Sequence, residues 1–471
     1  MRKWLMGPVM VAGLVGAGVG VGFSALSAFA VTNTAAEKRA ETFRQLDLFA
    51  EILAKAQSNY VTEFDDGQAI EAAIDGMLAS LDPHSSYLNP DDFKDMQAQT
   101  AGEYGGLGIE VTAQDGFVKV VSPMDGTPAF KAGIKSGDFL TAIDGKSIVG
   151  LPLNDAVKQM RGAVGSAISV TVVRENVEPF DVSINREIIR PEVVKAKAVG
   201  DVGYVRITTF NEQTVKALDK GLEDARKASK GPMKGLVLDL RDNPGGLLDA
   251  SIEVASRFLN GGEVVSTRGR RETDVERYNA RKGNRLPANI PVVVLVNGGS
   301  ASAAEIVAGA LQDRGRAKVL GVTSFGKGSV QTVIPLGPNK GAMRLTTSRY
   351  YTPSGKSIQG AGIEPDVEVA QIRLSDKDIT EIKNRMARYT EASLPNALAN
   401  DQGAERKPPH IPANMPPADY KGEDFQLDQA VALIQSGKAV VTKDAGAAAA
   451  PAPSTPAVKT APESDQGKLQ Q

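Results

Sequence analysis

Two uninterrupted apolar runs constrain the fold of this chain more than any other feature. Residues 235–240 read GLVLDL and residues 291–296 read PVVVLV. Strands that are apolar at nearly every position are covered on both faces, as in a parallel sheet flanked by helices. Such strands alternate with helical patterns throughout residues 188–374, so we predict an α/β core there.

The segments on either side of this core have different patterns. Residues 31–97 are predicted to be mostly helical, because their apolar residues recur at helical spacing. Residues 98–187 contain short strands separated by glycines. The C-terminal region 375–440 is predicted to return to helix over 375–392 and 424–436, with a Pro-rich stretch between them. The Ala/Pro-rich residues 441–471 cannot bury a core and are predicted to be disordered. The sequence therefore predicts a multi-domain α/β protein.

The N-terminus carries a targeting signal. Arg2 and Lys3 precede an apolar stretch from Trp4 to Ala25, and Ala28-Phe29-Ala30 forms a small-x-small cleavage pattern. Residues 1–30 are predicted to be a signal peptide or, if they are not cleaved, an N-terminal membrane anchor. Either outcome predicts an exported, periplasmic protein.

The composition restricts the chemistry. The 471 residues include no cysteine and only two histidines, and 54 basic against 56 acidic side chains give a net charge of −2. Thiol catalysis, disulfides and cysteine-based metal sites are excluded, and the charge offers no basis for binding nucleic acid. Catalysis must therefore use Ser, Thr, Lys, Asp, Glu or Tyr.

A serine-rich turn follows the second apolar strand. Residues 297–305 read NGGSASAAE and lead into a helical pattern. A serine at such a turn lies beside unpaired amide donors and the positive end of a helix dipole, which suits a nucleophile and its oxyanion. Without further support, the turn favours a pure helix-capping role for both Ser300 and Ser302. Glu305 is most simply a helix N-terminal residue stabilised by the dipole, and nothing in the sequence brings it near Asp242.

Lys327 is the best candidate for a general base. His84 follows a helix and His410 lies in a proline-rich segment, so neither is well placed. Lys327 stands between Gly326 and Gly328, which allow close approach, and burial would lower its pKa. The alternative is a solvated lysine in a turn.

The glycine-rich segment before residue 109 has the pattern of a peptide-binding loop. Gly106, Leu107, Gly108 and Ile109 can present backbone N–H groups to a carboxylate, and the following strand edge can accept an extended peptide. Alone, the pattern also fits an ordinary hairpin. Together with AGIKSGD, IDG and DAVKQMRG downstream, residues 98–187 resemble a PDZ domain, which implies recognition of C-terminal or extended peptides.

Arg161, in the MRG sequence that ends this region's helical pattern, has two interpretations. It is either a solvated cation at the end of a helix, favoured by the dipole, or an inter-domain contact that reports peptide occupancy.

Ordered motifs over residues 38–372 are similar to those of the C-terminal processing peptidases, a PDZ-containing family of serine–lysine proteases. These motifs are LDPHSSYLNPDDF, GEYGGLGIEV, LVLDLRDNPGG, VNGGSASAAEIVAGALQD, FGKGSVQ and RYYTPSGKSIQGAGIEPD. The resemblance implies a ClpP/crotonase-like α/β protease core with an inserted, β-barrel-like PDZ domain. It also implies protein or peptide substrates held by their C-termini, an adaptor protein in some members, a homo-oligomer, and no cofactor.

The same resemblance assigns the site residues. It implies Ser302 as the nucleophile, Lys327 as the general base and Gln331 as the residue that orients the lysine amine. The oxyanion hole would use the backbone N–H groups of Ala303 and Gly246, with Gly245 left open as an alternative. Two other functions compete: a catalytically silent PDZ scaffold, and a carboxylate-based hydrolase of cell-wall glycans that lacks an evident carboxylate pair.

Overall fold

The computed structural model describes residues 22–283, 286–373, 387–408 and 411–439. His410, the first part of the predicted signal peptide, most of the helix expected after residue 375 and the Ala/Pro-rich tail lie outside these residues. The chain divides into two compact units, Met1–Ala73 and Ile74–Gln471.

The helices of the described residues are α1 (Gly22–Asn59), α2 (Asp66–Ala79), α3 (Pro90–Ala101), α4 (Pro128–Lys131), α5 (Leu153–Met160), α6 (Thr214–Ala228), α7 (Leu248–Ala255), α8 (Ala303–Asp313) and α9 (Phe425–Gln435), with a 3₁₀ turn at Glu391–Ser393.

The strands are β1 (Ser86–Leu88), β2 (Tyr104–Gly106), β3 (Ile109–Gln114), β4 (Phe117–Pro123), β5 (Phe139–Ile143), β6 (Lys146–Ser147), β7 (Ala167–Arg174), β8 (Val177–Asn185), β9 (Glu187–Ile189), β10 (Val194–Val199), β11 (Val202–Ile207), β12 (Gly235–Asp239), β13 (Glu263–Arg268), β14 (Val275–Asn279), β15 (Val292–Val296), β16 (Ala317–Gly321), β17 (Ser329–Pro335), β18 (Ala342–Tyr351) and β19 (Val367–Glu368).

The N-terminal unit contains α1 and the first part of α2, so the helical prediction for this region is confirmed. No helix in the described part of the chain has both the length and the apolar character needed to cross a membrane.

The α/β core is built on a six-stranded sheet in the order β10-β11-β12-β15-β16-β19, parallel except for β10. The two apolar runs form its central strands β12 and β15, as predicted. Alternate residues face opposite layers: Leu236 and Leu238 pack with α6, α7 and α8, whereas Val237 packs with α9. Burial on both faces is the reason that these strands are apolar at nearly every position, with Asp239 at the end of β12 as the exception.

A second sheet in the core has the order β1-β18-β13-β14, with β17 also paired to β18. Strand β1 is an exception to the mostly helical prediction for residues 31–97. Its three residues pair with β18 in the register Ser86↔Arg344, so tertiary pairing determines their conformation.

The region predicted to be a PDZ domain has its own sheet and its own core. Its sheet has the order β3-β4-β5-β7-β8 with β6 on β5, and its apolar residues form a separate buried cluster. Strands β2 and β9 pair with each other where the chain enters and leaves the domain. The multi-domain α/β fold with an inserted β domain is thus as predicted.

Candidate active site

Ser302 lies in a strained turn between β15 and α8. Its backbone has φ +53° and ψ −116°, and the left-handed φ region is costly for a residue with a side chain. The turn is fixed by hydrogen bonds from the Ser302 N–H to Glu305 Oε2 (2.8 Å) and from the Ala301 N–H to the Asn243 carbonyl (2.9 Å). A serine on a strained strand-to-helix turn is typical of an enzyme nucleophile.

Ser300 has a structural position. Its side chain is buried, its Oγ donates to the Leu240 carbonyl (2.8 Å), and it accepts from the Asn297 N–H (2.9 Å). These bonds tie the turn to the end of β12, so Ser300 supports Ser302 and has its own hydroxyl engaged.

Lys327 is partly buried in the loop before β17. Its Nζ donates to the Ser329 carbonyl (3.3 Å) and to Gln331 Oε1. Burial lowers the pKa of Lys327 to about 8, although the carboxylates of Glu391 and Glu305 act in the opposite direction. At pH 7 about one tenth of such lysines are neutral, compared with fewer than about one in a thousand at the reference pKa.

Close packing explains the glycine after Lys327. A Cβ at Gly328 would lie 2.2 Å from the backbone nitrogen of Gln359, so no side chain fits there. The Gly328 N–H donates to Gln359 Oε1 at 3.0 Å. The lysine loop is therefore held directly against a neighbouring segment.

Glu305 links the loops of the two candidate catalytic residues, and the interpretation of it as a simple dipole-stabilised residue is incomplete. Its side chain is fully buried and its Oε2 accepts the N–H groups of Ser302 and Lys327, each at 2.8 Å. Its Oε1 accepts from Ser324 Oγ (2.5 Å) and the Gly326 N–H (2.7 Å). Burial raises the pKa of Glu305 despite these four donors.

A sequence signal for this role exists. Ser302 and Glu305 stand three residues apart at the start of α8, which is the spacing of a capping box. That pattern predicts that the Ser302 N–H donates to the Glu305 carboxylate. It does not predict that the Lys327 N–H donates to the same carboxylate.

The glycine turn after β12 lies against the Ser302 turn. A Cβ on Gly245 would approach Ser302 Cβ to 2.8 Å and the Ala303 nitrogen to 2.9 Å. The Gly245 N–H donates to Asn243 Oδ1 (2.8 Å), whereas the Gly246 N–H has no acceptor among the described residues. Ala303 is the first residue of α8, where helix geometry leaves the N–H group without a partner. Gly246 and Ala303 therefore offer free donors and Gly245 does not.

Gln331 lies on β17 with its amide fully engaged. Its Oε1 accepts from Lys327, and its Nε2 donates to Ser329 Oγ (3.0 Å) and Thr346 Oγ1 (3.1 Å). The structure thus brings Gln331 to the Lys327 amine, as the resemblance implies.

Asp242 and His84 have partners of their own. The Asp242 N–H and Oδ1 are both bonded to the side chain of Asn297, at 2.9 and 2.8 Å. His84 Nε2 lies 2.8 Å from Glu391 Oε2. Asp242 and Glu305 thus have separate partners, and the His84 ring is engaged in a hydrogen bond with Glu391.

The candidate peptide-binding loop leads into a free sheet edge. Gly106 is the last residue of β2 and pairs with Glu187 of β9. Leu107 is buried in the domain core, and Gly108 has φ +75°. Ile109 begins β3, which in the described residues pairs only with β4 and forms the edge of its sheet. An unpaired edge beside a glycine loop is the geometry that an added peptide strand requires.

Arg161 directly follows α5 and stacks on Tyr104, the first residue of β2. Its guanidinium carbon lies 4.4 Å from the ring centroid, and its Nε is buried without a hydrogen-bond partner in the described part of the chain. The structure thus connects Arg161 to the strand before the peptide loop. Its proposed inter-domain role stays a prediction.

Comparisons with known proteins find matching families and similar proteins. Models of three families match: peptidase family S41 over residues 201–369, the PDZ domain over residues 105–184, and the N-terminal domain of the activating protease CtpB over residues 15–92. A solved photosystem II D1 C-terminal processing protease is 28% identical with a TM-score of 0.41, covering 74% of this chain and 98% of that one.

Two relatives are similar over most of their length. The carboxy-terminal-processing protease of Bartonella bacilliformis is 55% identical over 332 residues, which cover 70% of this chain and 76% of that protein. The carboxy-terminal processing protease CtpA of Bacillus subtilis is 35% identical over 350 residues, covering 73% and 74%. The chain therefore belongs to the carboxy-terminal-processing serine proteases of peptidase family S41 and carries a PDZ domain.

Proposed function

We propose that this protein is an exported endopeptidase with a Ser302–Lys327 dyad, which cleaves proteins at or near their C-termini under the control of its PDZ domain. The Glu305 carboxylate carries this proposal, because one of its oxygens holds the backbone N–H groups of both Ser302 and Lys327. The catalytically silent PDZ scaffold is the weaker alternative, since the nucleophile, the base and the orienting Gln331 are all present.

The hydrogen bonds of Lys327 suit a neutral amine that acts as a base. A neutral amine has two N–H groups and one lone pair. Within the described residues the two acceptors of the Lys327 amine are the Ser329 carbonyl and Gln331 Oε1. When both N–H groups are engaged, the lone pair is left to take the Ser302 proton. The pKa of about 8 makes the neutral form accessible near neutral pH.

The catalytic cycle follows from these groups. The Ser302 hydroxyl attacks the peptide carbonyl as Lys327 takes its proton, and the N–H groups of Ala303 and Gly246 stabilise the oxyanion. The lysine then protonates the leaving amine. Water hydrolyses the acyl-enzyme by the same route, with Lys327 again taking and returning a proton.

The PDZ domain supplies substrate selection in this proposal. The free edge of β3 would receive the substrate tail as an added strand, and the backbone of the Gly106–Ile109 loop would bind its terminal carboxylate. Arg161, stacked on Tyr104 next to this loop, is the residue through which occupancy would be signalled.

Cleavage of an unfolded protein tests the catalytic assignment. We expect the full chain to degrade fluorescein-labelled casein, and we expect Ser302→Ala and Lys327→Ala to lose at least about a thousandfold in rate while keeping their far-ultraviolet circular dichroism spectra. Full activity in either variant would show that the dyad is wrongly assigned.

Peptide binding tests the role of the PDZ domain separately. The Ser302→Ala protein binds without cleaving, so matched peptides with an apolar C-terminal residue can be compared as the free acid and the amide. We expect the free acid to bind more tightly. Equal binding of the two peptides would contradict recognition of the C-terminal carboxylate.

Export is supported by the N-terminal sequence alone, in which basic residues precede an apolar stretch and Ala28-Phe29-Ala30. Sequencing the N-terminus of the protein recovered from periplasmic and membrane fractions tests this. A mature chain that begins after Ala30 indicates a cleaved signal peptide, and a chain retained in the cytoplasm contradicts export.

A homo-oligomer is supported by the apolar surface of α1. Phe43, Leu46 and Ile52 are 66%, 55% and 57% exposed, and three such side chains on one helix favour burial against another copy. Sedimentation of the full chain, compared with a Leu46→Glu variant, tests this. A wild-type monomer at micromolar concentration would contradict it.

A further inference from the structure

The LDPHSSY segment contacts the catalytic lysine through a chain of side-chain hydrogen bonds. Gln331 Nε2 donates to Thr346 Oγ1 at 3.1 Å, and Thr346 Oγ1 donates to Asp82 Oδ1 at 2.9 Å. The other side of the Gln331 amide accepts from Lys327 Nζ. Asp82, near the start of the unit Ile74–Gln471, is thus connected to the Gln331 amide by two hydrogen bonds through Thr346.

Asp82 is held as an acceptor. Its side chain is buried, and its carboxylate also accepts the N–H groups of His84 (2.9 Å) and Ser85 (3.0 Å) and the hydroxyl of Ser85 (2.6 Å). Burial alone would raise the pKa of Asp82, but these hydrogen bonds and the one from Thr346 outweigh it and lower the pKa. An ionised carboxylate only accepts hydrogen bonds.

Because Asp82 only accepts, it determines which group donates in each hydrogen bond between Asp82 and Lys327. Because Asp82 can only accept, the single proton of the Thr346 hydroxyl points to Asp82, and Thr346 Oγ1 can only accept from Gln331. The Gln331 amide must therefore present Nε2 to Thr346 and Oε1 to Lys327. The reversed amide would place an N–H donor against the lysine amine, where it would compete for the lone pair or repel the ammonium.

We propose that Thr346, anchored by Asp82, is a positioning residue that fixes the orientation of the Gln331 amide and so leaves the Lys327 lone pair free for the Ser302 proton. The proposal rests on the serine–lysine mechanism proposed above. It gives the LDPHSSY segment a role in catalysis, since Ser85 Oγ also accepts the Thr346 N–H at 3.1 Å.

Variants at residue 346 test the proposal in the full chain. Thr346→Val removes the hydroxyl at nearly constant shape, and Thr346→Ser keeps it. We expect Thr346→Val to lower kcat on labelled casein by about tenfold or more, with KM within about twofold, and Thr346→Ser to restore most of kcat. Thr347→Val is the matched control, because its hydroxyl bonds only to Thr332 in the described residues, on the exposed side of the same hairpin.

A double-mutant cycle with Gln331→Ala separates positioning from general destabilisation. If Thr346 acts through Gln331, Thr346→Val should change kcat by less than about twofold in the Gln331→Ala background. Wild-type kcat in Thr346→Val, or an equal loss in both backgrounds, would overturn the proposal. If Thr346→Val does not fold, Thr346→Ala removes the same hydroxyl without added bulk. If Thr346→Val is active while Ser302→Ala and Lys327→Ala are inactive, only the positioning role of Thr346 is refuted. If Lys327→Ala is active, the proposed dyad is refuted.

Discussion

Replacing Lys327 with methionine should remove both the proposed base and the free-energy cost of burying its charge. Burial lowers the pKa of Lys327 from 10.5 to about 8, so the folded protein binds this proton less tightly than the unfolded chain does. The difference corresponds to about 3 kcal/mol of lost stability at pH 7. Methionine has a similar shape and no charge, so it avoids this cost.

The pH dependence provides the sharper measurement. Because the folded pKa is depressed, the cost of burying Lys327 is complete below about pH 8 and disappears as the pH rises towards the unfolded value of 10.5. Between pH 7 and pH 9.5 the cost should fall from about 3 to about 1.4 kcal/mol. Methionine also leaves Gln331 Oε1 and the Ser329 carbonyl without a donor, which costs about 1–3 kcal/mol for each group at either pH. This cost is the same at the two pH values and cancels when they are compared.

Urea denaturation of wild type and Lys327→Met at the two pH values measures this difference. Far-ultraviolet circular dichroism is the suitable signal, since the only tryptophan is Trp4 in the predicted targeting segment. Lys340→Met, at an exposed lysine in the turn after β17, is the control and should show no pH-dependent gain. The explanation is refuted if the stability of Lys327→Met relative to wild type is the same at pH 7 and pH 9.5.

Three further predictions concern the same site. The value of kcat/KM should rise about tenfold per pH unit below pH 8 and level off above it, because the proposed mechanism requires neutral Lys327; a profile that is flat from pH 6 to 9 would contradict this. Glu305→Gln should abolish most activity and lower the free energy of unfolding by at least about 2 kcal/mol, measured by urea denaturation, because an amide cannot accept four donors. Gly246→Ala should lower kcat by at least about a hundredfold. The added Cβ would lie 2.0 Å from the Phe210 carbonyl oxygen and would displace the glycine turn after β12, with its proposed oxyanion donor. Gly76→Ala is the control, because an added Cβ on Gly76 in α2 meets no atom within 4 Å, and it should leave casein cleavage unchanged. Equal effects of the two glycine variants would contradict the assignment of Gly246 to the oxyanion hole.

Much of the fold could be predicted from local sequence patterns. The apolar runs that became β12 and β15 identified the parallel sheet, because burial on both faces leaves a signature in every residue of a strand. Strand β1 left no such signature. Its three residues are extended because they pair with β18, and that partner is more than 250 residues away in the chain. Helix α9 was predicted as a helix, but its packing against the core sheet followed only from the structure.

The sequence by itself determined the types of reactive group: a chain with no cysteine and two histidines, a serine at a strand-to-helix turn, and a lysine between two glycines. These are local features, and motif and composition are sufficient to find them. Tertiary structure decided what those groups can do. The lowered pKa of Lys327 depends on burial. The Gly245 N–H is occupied because it donates to Asn243, which leaves Gly246 as the proposed oxyanion donor. The Glu305 link and the Thr346–Asp82 contact join segments distant in the chain, and only packing brings such groups within hydrogen-bonding distance.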